Sequence, residues 1–263
     1  MANRILVGSD GSAPSRAALA WAIRRARAAS DRIELTIEHV VDTAPQHSDL
    51  SRQASVDAER ILADDIERCT TLGVEAITVI RHGQPSLALI RDSADTDLLV
   101  VGSPQTGFLR GRVLGTRSVV IAAAAFCSVV VVPENNIALR RGVVVGVGPG
   151  TTSDTAVIAG AREAAHLNDE LSLIHSAPGD EVANEAQFVL HRATELASSV
   201  APGLVVRRRI SRRRASEVLL DAGRAAALVV LGSPANESRT PGYIGTVVHE
   251  VLLNLNSPVM IAR

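Results

Sequence analysis

The sequence predicts an α/β protein made of two tandem doubly wound domains, each with a mostly parallel five-stranded sheet flanked by helices. Short runs rich in valine, leucine and isoleucine alternate along the chain with longer segments in which apolar residues recur at helical spacing. The same order of segments then occurs a second time. With 263 residues, of which 46% are apolar, the chain can build a sizeable core.

The first copy opens with an apolar strand over residues 4–8. A helix over residues 15–29 follows, because apolar residues recur there every three or four positions, and Ser12 and Pro14 before it are typical start signals. The remaining predicted elements are, in order, a strand over 33–41, a helix over 51–72, a strand over 74–81, a helix over 86–94, a strand over 98–102, a helix over 117–125 and a strand over 129–132.

Two of these elements indicate how they pack. One side of the helix over 51–72 carries large apolar residues, which are Val56, Ile61, Leu62 and Ile66. The strand over 98–102 is apolar almost throughout, which is typical of a parallel strand covered on both faces of the sheet. A doubly wound sheet has both features, because helices with one apolar side cover both faces of its central strands.

The second half of the chain repeats the first. Equivalent glycines lie 138 residues apart near the start of each copy and 130 residues apart near the end. Five blocks match in the same order and the distance shrinks in the loops, as expected of a diverged duplication. A polar stretch over residues 134–141 separates the copies, so we predict one domain over residues 1–136 and a second over residues 140–263.

Composition excludes several function classes. The formal net charge is −1, which argues against binding to nucleic acid or to an anionic membrane. All basic residues are arginine, so there is no Walker A lysine and no Schiff-base lysine. Cys69 and Cys127 give neither zinc-type spacing nor a disulfide framework. No signal peptide and no apolar stretch of membrane-spanning length is present, so we expect a cytoplasmic protein.

Polar and glycine-rich segments follow three strands of the first copy. They are residues 9–12, 39–42 and 102–116, and in open α/β sheets ligands bind beyond such strand ends. The third segment, GSPQTGFLRGRVLGTRS from residue 102, enters a helix at Thr116. Glycines let backbone N–H groups approach a phosphate, and a helix N-terminus adds partial positive charge. Arg117 could add a full charge, and Thr116 and Ser118 could donate hydroxyl hydrogen bonds.

This segment, together with the opening VGSDGSAPSRAALAWA, resembles the universal stress protein family. Members carry an ATP-binding pattern of Gly, two residues, Gly, nine residues, then Gly followed by Ser or Thr. Gly102 fits its first position and Gly115–Thr116 its last pair, whereas Gln105 stands where the family has glycine. The resemblance covers nearly the whole chain and implies a Rossmann-like fold of the adenine nucleotide alpha hydrolase type.

By this resemblance the first copy binds an adenine nucleotide. ATP is the expected ligand, with ADP and AMP as alternatives, and Mg²⁺ could accompany ATP. Asp10 would contact the ribose or the adenine, and Val40 the adenine through its backbone. The full set of predicted cofactor-binding residues is Asp10, Val40, Gly102, Gln105, Gly107, Gly115, Thr116, Arg117 and Ser118. Gln105 places a side chain where the backbone should approach the phosphates, and Gly107 could restore flexibility.

The second copy departs further from the pattern. Gly148 stands opposite Asp10, so the carboxylate that would contact the nucleoside is missing. Ala235 stands opposite Gln105, and Glu237 adds negative charge that would repel a phosphate. We therefore predict a degenerate second domain with a structural or partner-facing role.

The favoured interpretation is a stress-response regulator in which the nucleotide is a conformational ligand. We predict no enzymatic activity beyond slow, incidental ATP hydrolysis, because no activated nucleophile, general base or metal cluster emerges. The alternative is a nucleotide-independent protein-interaction scaffold. A nucleotidyl-transfer enzyme lacks its usual histidine-rich motif here, and a dehydrogenase lacks G-x-G-x-x-G after the first strand.

The resemblance also implies how the parts associate. The two copies would pair within one chain through their final strands, over residues 129–132 and 259–262, and two chains could form a homodimer. A further protein partner is expected, but the sequence does not identify it.

Two other features of the sequence are a pair of matching histidines and an arginine-rich run. His39 and His175 occupy matching positions, which favours a hydrogen-bonded structural role over a catalytic base. The arginine-rich run over residues 207–214 has no interleaved aromatic residues, so it is more typical of a solvated strand edge and loop than of a nucleic-acid interface. An anion or an acidic partner at Arg212, Arg213 and Arg214 is the alternative hypothesis for this run.

Overall fold

The valine- and leucine-rich runs form the central strands of each half of the chain, where neighbouring strands pair in parallel. The computed structural model describes residues 4–29, 32–42, 48–104, 116–134, 140–178, 183–233 and 243–263. These residues divide into two units, of which the first ends at Glu134 and the second begins at Arg140. Each unit is an α/β structure with helices against its sheet, so the predicted fold class is confirmed.

The first unit alternates strand and helix throughout. Its strands are β1 (Arg4–Gly8), β2 (Glu34–Val41), β3 (Ala76–His82), β4 (Leu98–Ser103) and β5 (Ser128–Pro133). Its helices are α1 (Ala13–Ala28), α2 (Ser48–Thr71), α3 (Pro85–Asp92) and α4 (Thr116–Ala124), with a 3₁₀ turn over Ser93–Asp95. All of the predicted boundaries lie within three residues of these.

The strands of the first unit pair in parallel in the order β3-β2-β1-β4-β5. The first three strands are therefore added in one direction, and the chain then crosses to the other side of β1 to form β4. Helices α1 and α2 contact each other, as do α3 and α4, and all four pack against strands of the sheet. The reversal of strand order between β1 and β4 is the switch point of a doubly wound sheet.

The second unit has the same element order. Its strands are β6 (Val143–Val147), β7 (Leu171–Ser176), β8 (Val206–Ser211), β9 (Leu228–Gly232) and β10 (Val259–Ala262). Its helices are α5 (Thr151–Leu167), α6 (Ala183–Val200), α7 (Ala215–Gly223) and α8 (Thr246–Leu253). The strands pair in parallel in the order β8-β7-β6-β9-β10, which repeats the order of the first unit.

Burial on α2 corrects one detail of the sequence prediction. Leu62 is buried and Ile61 is half-buried, as expected, but the Val56 side chain is 53% exposed. The buried side of the helix instead includes Ala58, Asp65 and Cys69. Asp65 is tolerated there because its carboxylate accepts a hydrogen bond from the Ser9 hydroxyl at 2.6 Å.

Among the described residues, no helix combines the length and the apolar character needed to cross a membrane.

Candidate functional site

The strand register brings three predicted site residues to one edge of the first sheet. Asp10 follows β1, Val40 is the penultimate residue of β2, and Gly102 lies at the end of β4. Val7 pairs with Val100 and Gly8 with Glu38, so the carboxyl ends of the three neighbouring strands are level. This edge lies at the switch point, where a doubly wound sheet leaves a crevice.

The Asp10 carboxylate is exposed at this edge and fixed by the turn that follows it. Its Oδ1 accepts a hydrogen bond from the backbone N–H of Ser12 at 3.0 Å. Partial burial acts to raise the pKa of Asp10, but hydrogen bonds from Ser12 and Ser15 outweigh it and hold the pKa below its usual value. Asp10 is therefore ionised at neutral pH and can accept hydrogen bonds from ligand hydroxyl groups.

The backbone of Val40 offers hydrogen-bonding groups beyond the end of β1. The Ser9 N–H donates to the Glu38 carbonyl oxygen at 2.8 Å, so the backbone groups of Glu38 point toward β1. Backbone groups alternate sides along a parallel strand, and those of Val40 therefore point the same way, past the last residue of β1. A flat heterocycle could pair with them there.

Gly102 is required by a backbone contact. A Cβ at this position would lie 2.3 Å from the carbonyl carbon and oxygen of Pro14 and 2.7 Å from the backbone nitrogen of Ser15. The end of β4 thus lies directly against the start of α1, at a distance that no side chain permits. Close approach of a phosphate is therefore not needed to explain this glycine, because backbone packing already requires it.

The predicted phosphate-binding residues are only partly described. Thr116 begins α4 and the Arg117 side chain is exposed beside it. Ser118 is buried, and its hydroxyl donates to the Ser103 hydroxyl oxygen at 3.3 Å. Gln105, Gly107 and Gly115 lie outside the described residues. The part of the site that is described fits a nucleoside: a carboxylate suits ribose hydroxyls and a free backbone edge suits an adenine ring.

The second unit has a cavity at the equivalent strand ends. Its volume is about 320 Å³, and its lining includes Gly148, Ser153, His175, Leu219, Leu231 and Thr246. None of the described lining residues carries a carboxylate. At the position that matches Asp10, the Gly148 N–H instead donates to the Ser153 hydroxyl oxygen at 2.7 Å.

The two matching histidines differ in their contacts. His175 is buried, and its Nδ1 lies 2.8 Å from the carbonyl oxygen of Val147, consistent with the predicted structural role. The Nδ1 atom of His39 is buried, and no described residue forms a hydrogen bond with it. The predicted hydrogen bond is therefore present at His175, while the structural role of His39 stays a prediction.

A buried carboxyl group near the site was missed by the sequence analysis. Glu38 lies in β2 two residues before Val40, and its side chain is 2% exposed. In the described part of the chain, its Oε1 has no hydrogen-bond partner. Burial, together with the nearby charge of Asp92, raises the pKa of Glu38 to about 7. The only sequence signal was a glutamate in the middle of the strand ELTIEHVV.

Asp92 is the neighbour that couples Glu38 to α3. Its carboxylate accepts hydrogen bonds from Nε of Arg91 at 2.6 Å and from Nε of Arg81 at 2.8 Å. These bonds hold the pKa of Asp92 at about 2, so Asp92 remains charged while Glu38 is protonated. A protonated Glu38 can donate a hydrogen bond to Asp92, whereas an ionised Glu38 would repel it.

Comparison with known proteins found a matching family model, similar sequences and a similar solved structure. A family model described as the universal stress protein family matches residues 1–133. A universal stress protein of Mycolicibacterium smegmatis is 30% identical over 98% of this chain and 96% of the relative. One of Mycobacterium tuberculosis is 27% identical over the same shares. In fold, the crystal structure of a universal stress protein from Archaeoglobus fulgidus matches all of this chain and 99% of its own, with a TM-score of 0.81 at 19% identity.

Proposed function

Because the chain belongs to the universal stress protein family, we propose that its first unit binds an adenine nucleotide as a conformational ligand. ATP is the favoured ligand, with ADP and AMP as alternatives. One observation carries the proposal. An ionised Asp10 and the outward-facing backbone of Val40 lie at the same edge of the sheet, at its switch point.

Each residue would have a defined role toward the nucleotide. Asp10 would accept hydrogen bonds from the ribose hydroxyls, and the backbone of Val40 would pair with the adenine edge. Arg117 and the N-terminus of α4 would face the phosphates, where their positive charge is favourable. Gly102 would keep the start of α1 close to the end of β4, which positions Asp10 on the turn between β1 and α1.

The ligand would act by stabilising one arrangement of the loops around it. A nucleotide that contacts Asp10 and Val40 ties together segments that follow two different strands, and this favours the conformation in which those segments are close. We propose that this conformation determines which protein partner is bound in the cytoplasm. Turnover of ATP would be at most slow and incidental.

The second unit would bind no nucleotide. It keeps a cavity of about 320 Å³ at the equivalent position, but Gly148 provides no carboxylate for a ribose. Pairing of the two final strands within the chain, and association of two chains, remain predictions.

The test begins with the purified chain. It is denatured, any released nucleotide is identified by mass spectrometry, and ATP is then titrated calorimetrically into wild type, Asp10→Ala and Asp10→Asn. Asparagine can still accept the hydrogen bond from the Ser12 N–H, so Asp10→Asn separates loss of charge from loss of the turn. We expect one site per chain, weakened in both variants.

Thermal unfolding of both variants provides the control. If Asp10→Asn unfolds at the temperature of wild type and still binds ATP with unchanged affinity, Asp10 has no role in nucleotide binding. If wild type carries no nucleotide and releases no heat with ATP, the nucleotide-independent scaffold becomes the better description.

A further inference from the structure

The arginine-rich run lies on the outer strand of the second unit. Strand β8 is the last in its sheet order, and among the described residues only β7 pairs with it. Arg207, Arg208 and Arg209 are all exposed, as the sequence analysis predicted for a solvated edge. An edge strand presents unpaired backbone groups along its free side, which can pair with another strand.

The hydrogen bonds to β7 show which backbone groups are free. The N–H of Leu171 donates to the carbonyl oxygen of Val205 at 2.9 Å, and the N–H of Ala177 donates to that of Ser211 at 2.8 Å. Odd-numbered residues of β8 therefore direct their backbone toward β7. Because the direction alternates along a parallel strand, Arg208 and Ile210 direct their N–H and C=O groups outward.

The same two residues line a groove against α6. Arg208 and Ile210 form one wall, and Phe188, Leu190 and His191 contribute to the other, around a volume of about 660 Å³. The Phe188 side chain is 68% exposed and that of Ile210 is 42% exposed. An exposed apolar pair beside a free strand edge is a feature of surfaces that bind extended peptides.

The charge of this edge is unbalanced. Arg207 pairs with Glu170, and Arg213 pairs with Glu217 and Asp221. In the described part of the chain, no carboxylate lies within 4.0 Å of the remaining arginines of the run, which are Arg208, Arg209, Arg212 and Arg214. The charge of Arg209 also interacts with Asp221, so the excess positive charge of this edge lies on Arg208, Arg212 and Arg214. In a chain with a net charge of −1, this local excess favours an acidic partner.

We propose that β8 and the adjoining groove bind an extended acidic segment of a partner protein by strand addition. The backbone of the segment pairs with Arg208 and Ile210. One face of the segment places apolar side chains against Phe188 and carboxylates against Arg208, both of which line the groove. This surface belongs to the second unit and does not depend on nucleotide binding by the first.

The probe is a fluorescein-labelled peptide of about eight residues with the repeat leucine-serine-glutamate-serine, which places leucine and glutamate on the same face. Its binding to the full chain is followed by fluorescence anisotropy. Three comparison probes are the same peptide N-methylated at alternate backbone positions, a version with serine for leucine, and a short single-stranded RNA of equal charge. We expect N-methylation to weaken binding at least about tenfold, because it blocks strand pairing.

Matched variants on one strand separate the groove from general charge. Arg208→Ser removes a cation that lines the groove, whereas Arg209→Ser removes one on the opposite face of the same strand. We expect a loss of about fivefold for the first, less than about twofold for the second, and about tenfold for Phe188→Ser. Equal losses for the two arginine variants would overturn the proposal, and so would an affinity for the RNA equal to that for the peptide. The arginines of β8 would then serve to prevent this edge strand from pairing with other strands.

Discussion

Glu38 is a carboxyl group buried where an apolar side chain would be expected. Its pKa of about 7 lies above its ordinary value of 4.5, so the folded chain holds a proton there that the unfolded chain releases between these two values. The contribution to stability is therefore complete below about pH 4.5 and is lost as the pH rises through about 7. Asp92 stays ionised over this range, because its hydrogen bonds with Arg91 and Arg81 hold its pKa at about 2.

We expect Glu38→Gln to remove this pH dependence. An amide stays neutral and can still donate a hydrogen bond to Asp92, so the variant should match wild type at about pH 5 and exceed it by about 1–3 kcal/mol at about pH 8. Urea unfolding at both pH values measures the difference.

Glu34→Gln is the control on the same strand, because the Glu34 side chain is exposed at the start of β2. It should change the stability at neither pH by more than about 0.5 kcal/mol. An equal gain in both glutamine variants at high pH would mean that general charge reduction, and not burial of Glu38, is responsible.

A second prediction for a single residue concerns the stability of a Gly102 variant. The methyl group of Gly102→Ala would overlap the Pro14 carbonyl, and neither backbone can yield without moving α1. We expect a loss of about 2 kcal/mol or more in the free energy of unfolding, measured without nucleotide.

Gly148→Ala is the comparison, because among the described residues its methyl group would meet only the Ser153 hydroxyl oxygen, at 3.4 Å. That variant should stay within about 0.5 kcal/mol of wild type. If Gly102→Ala were equally stable and only its nucleotide affinity fell, the glycine would serve the ligand and not the packing.

At the scale of elements, the two units begin their first helix differently. Helix α1 is capped by Ser12, whose hydroxyl oxygen accepts a hydrogen bond from the Ser15 N–H at 3.3 Å. Helix α5 has Gly150 at the equivalent position and no side-chain cap. The turn that carries Asp10 is thus held by its own side chains, which keeps the carboxylate oriented before any ligand arrives.

We expect Ser12→Ala to reduce the free energy of unfolding by about 1 kcal/mol, because the Ser15 N–H loses its acceptor. Guanidinium unfolding followed by circular dichroism measures this loss. Ser12→Thr keeps a hydroxyl cap and should recover most of it, whereas a loss of similar size in Ser12→Thr would show that the cap bond contributes little.

At the scale of the whole molecule, the two units share one topology, but Gly148 of the second unit stands at the position of Asp10 in the first. Gly148 has space for a side chain and no positive φ, so an aspartate can be introduced there without strain. We expect Gly148→Asp to raise the calorimetric stoichiometry of adenine nucleotide from one to two per chain.

Gly148→Asn, which adds similar bulk without charge, is the matched control and should keep one site. A stoichiometry of one in Gly148→Asp, with folding unchanged, would show that the missing carboxylate is not what prevents binding in the second unit.

The sequence by itself determined the fold class, because apolar periodicity reports burial directly and a duplication doubles that signal. It also placed Asp10, Val40 and Gly102 at strand ends, since the order of strands and helices in a doubly wound sheet leaves little choice about where the ends meet. Whether the remaining predicted residues hold a nucleotide stays a prediction.

Only the tertiary structure decided which groups meet across long distances in the sequence. The contact of Gly102 with Pro14, the neighbours that raise the pKa of Glu38, and the outward backbone of Arg208 all depend on register and helix placement. Register and helix placement are fixed by packing between segments far apart in the chain, so local sequence patterns do not predict them.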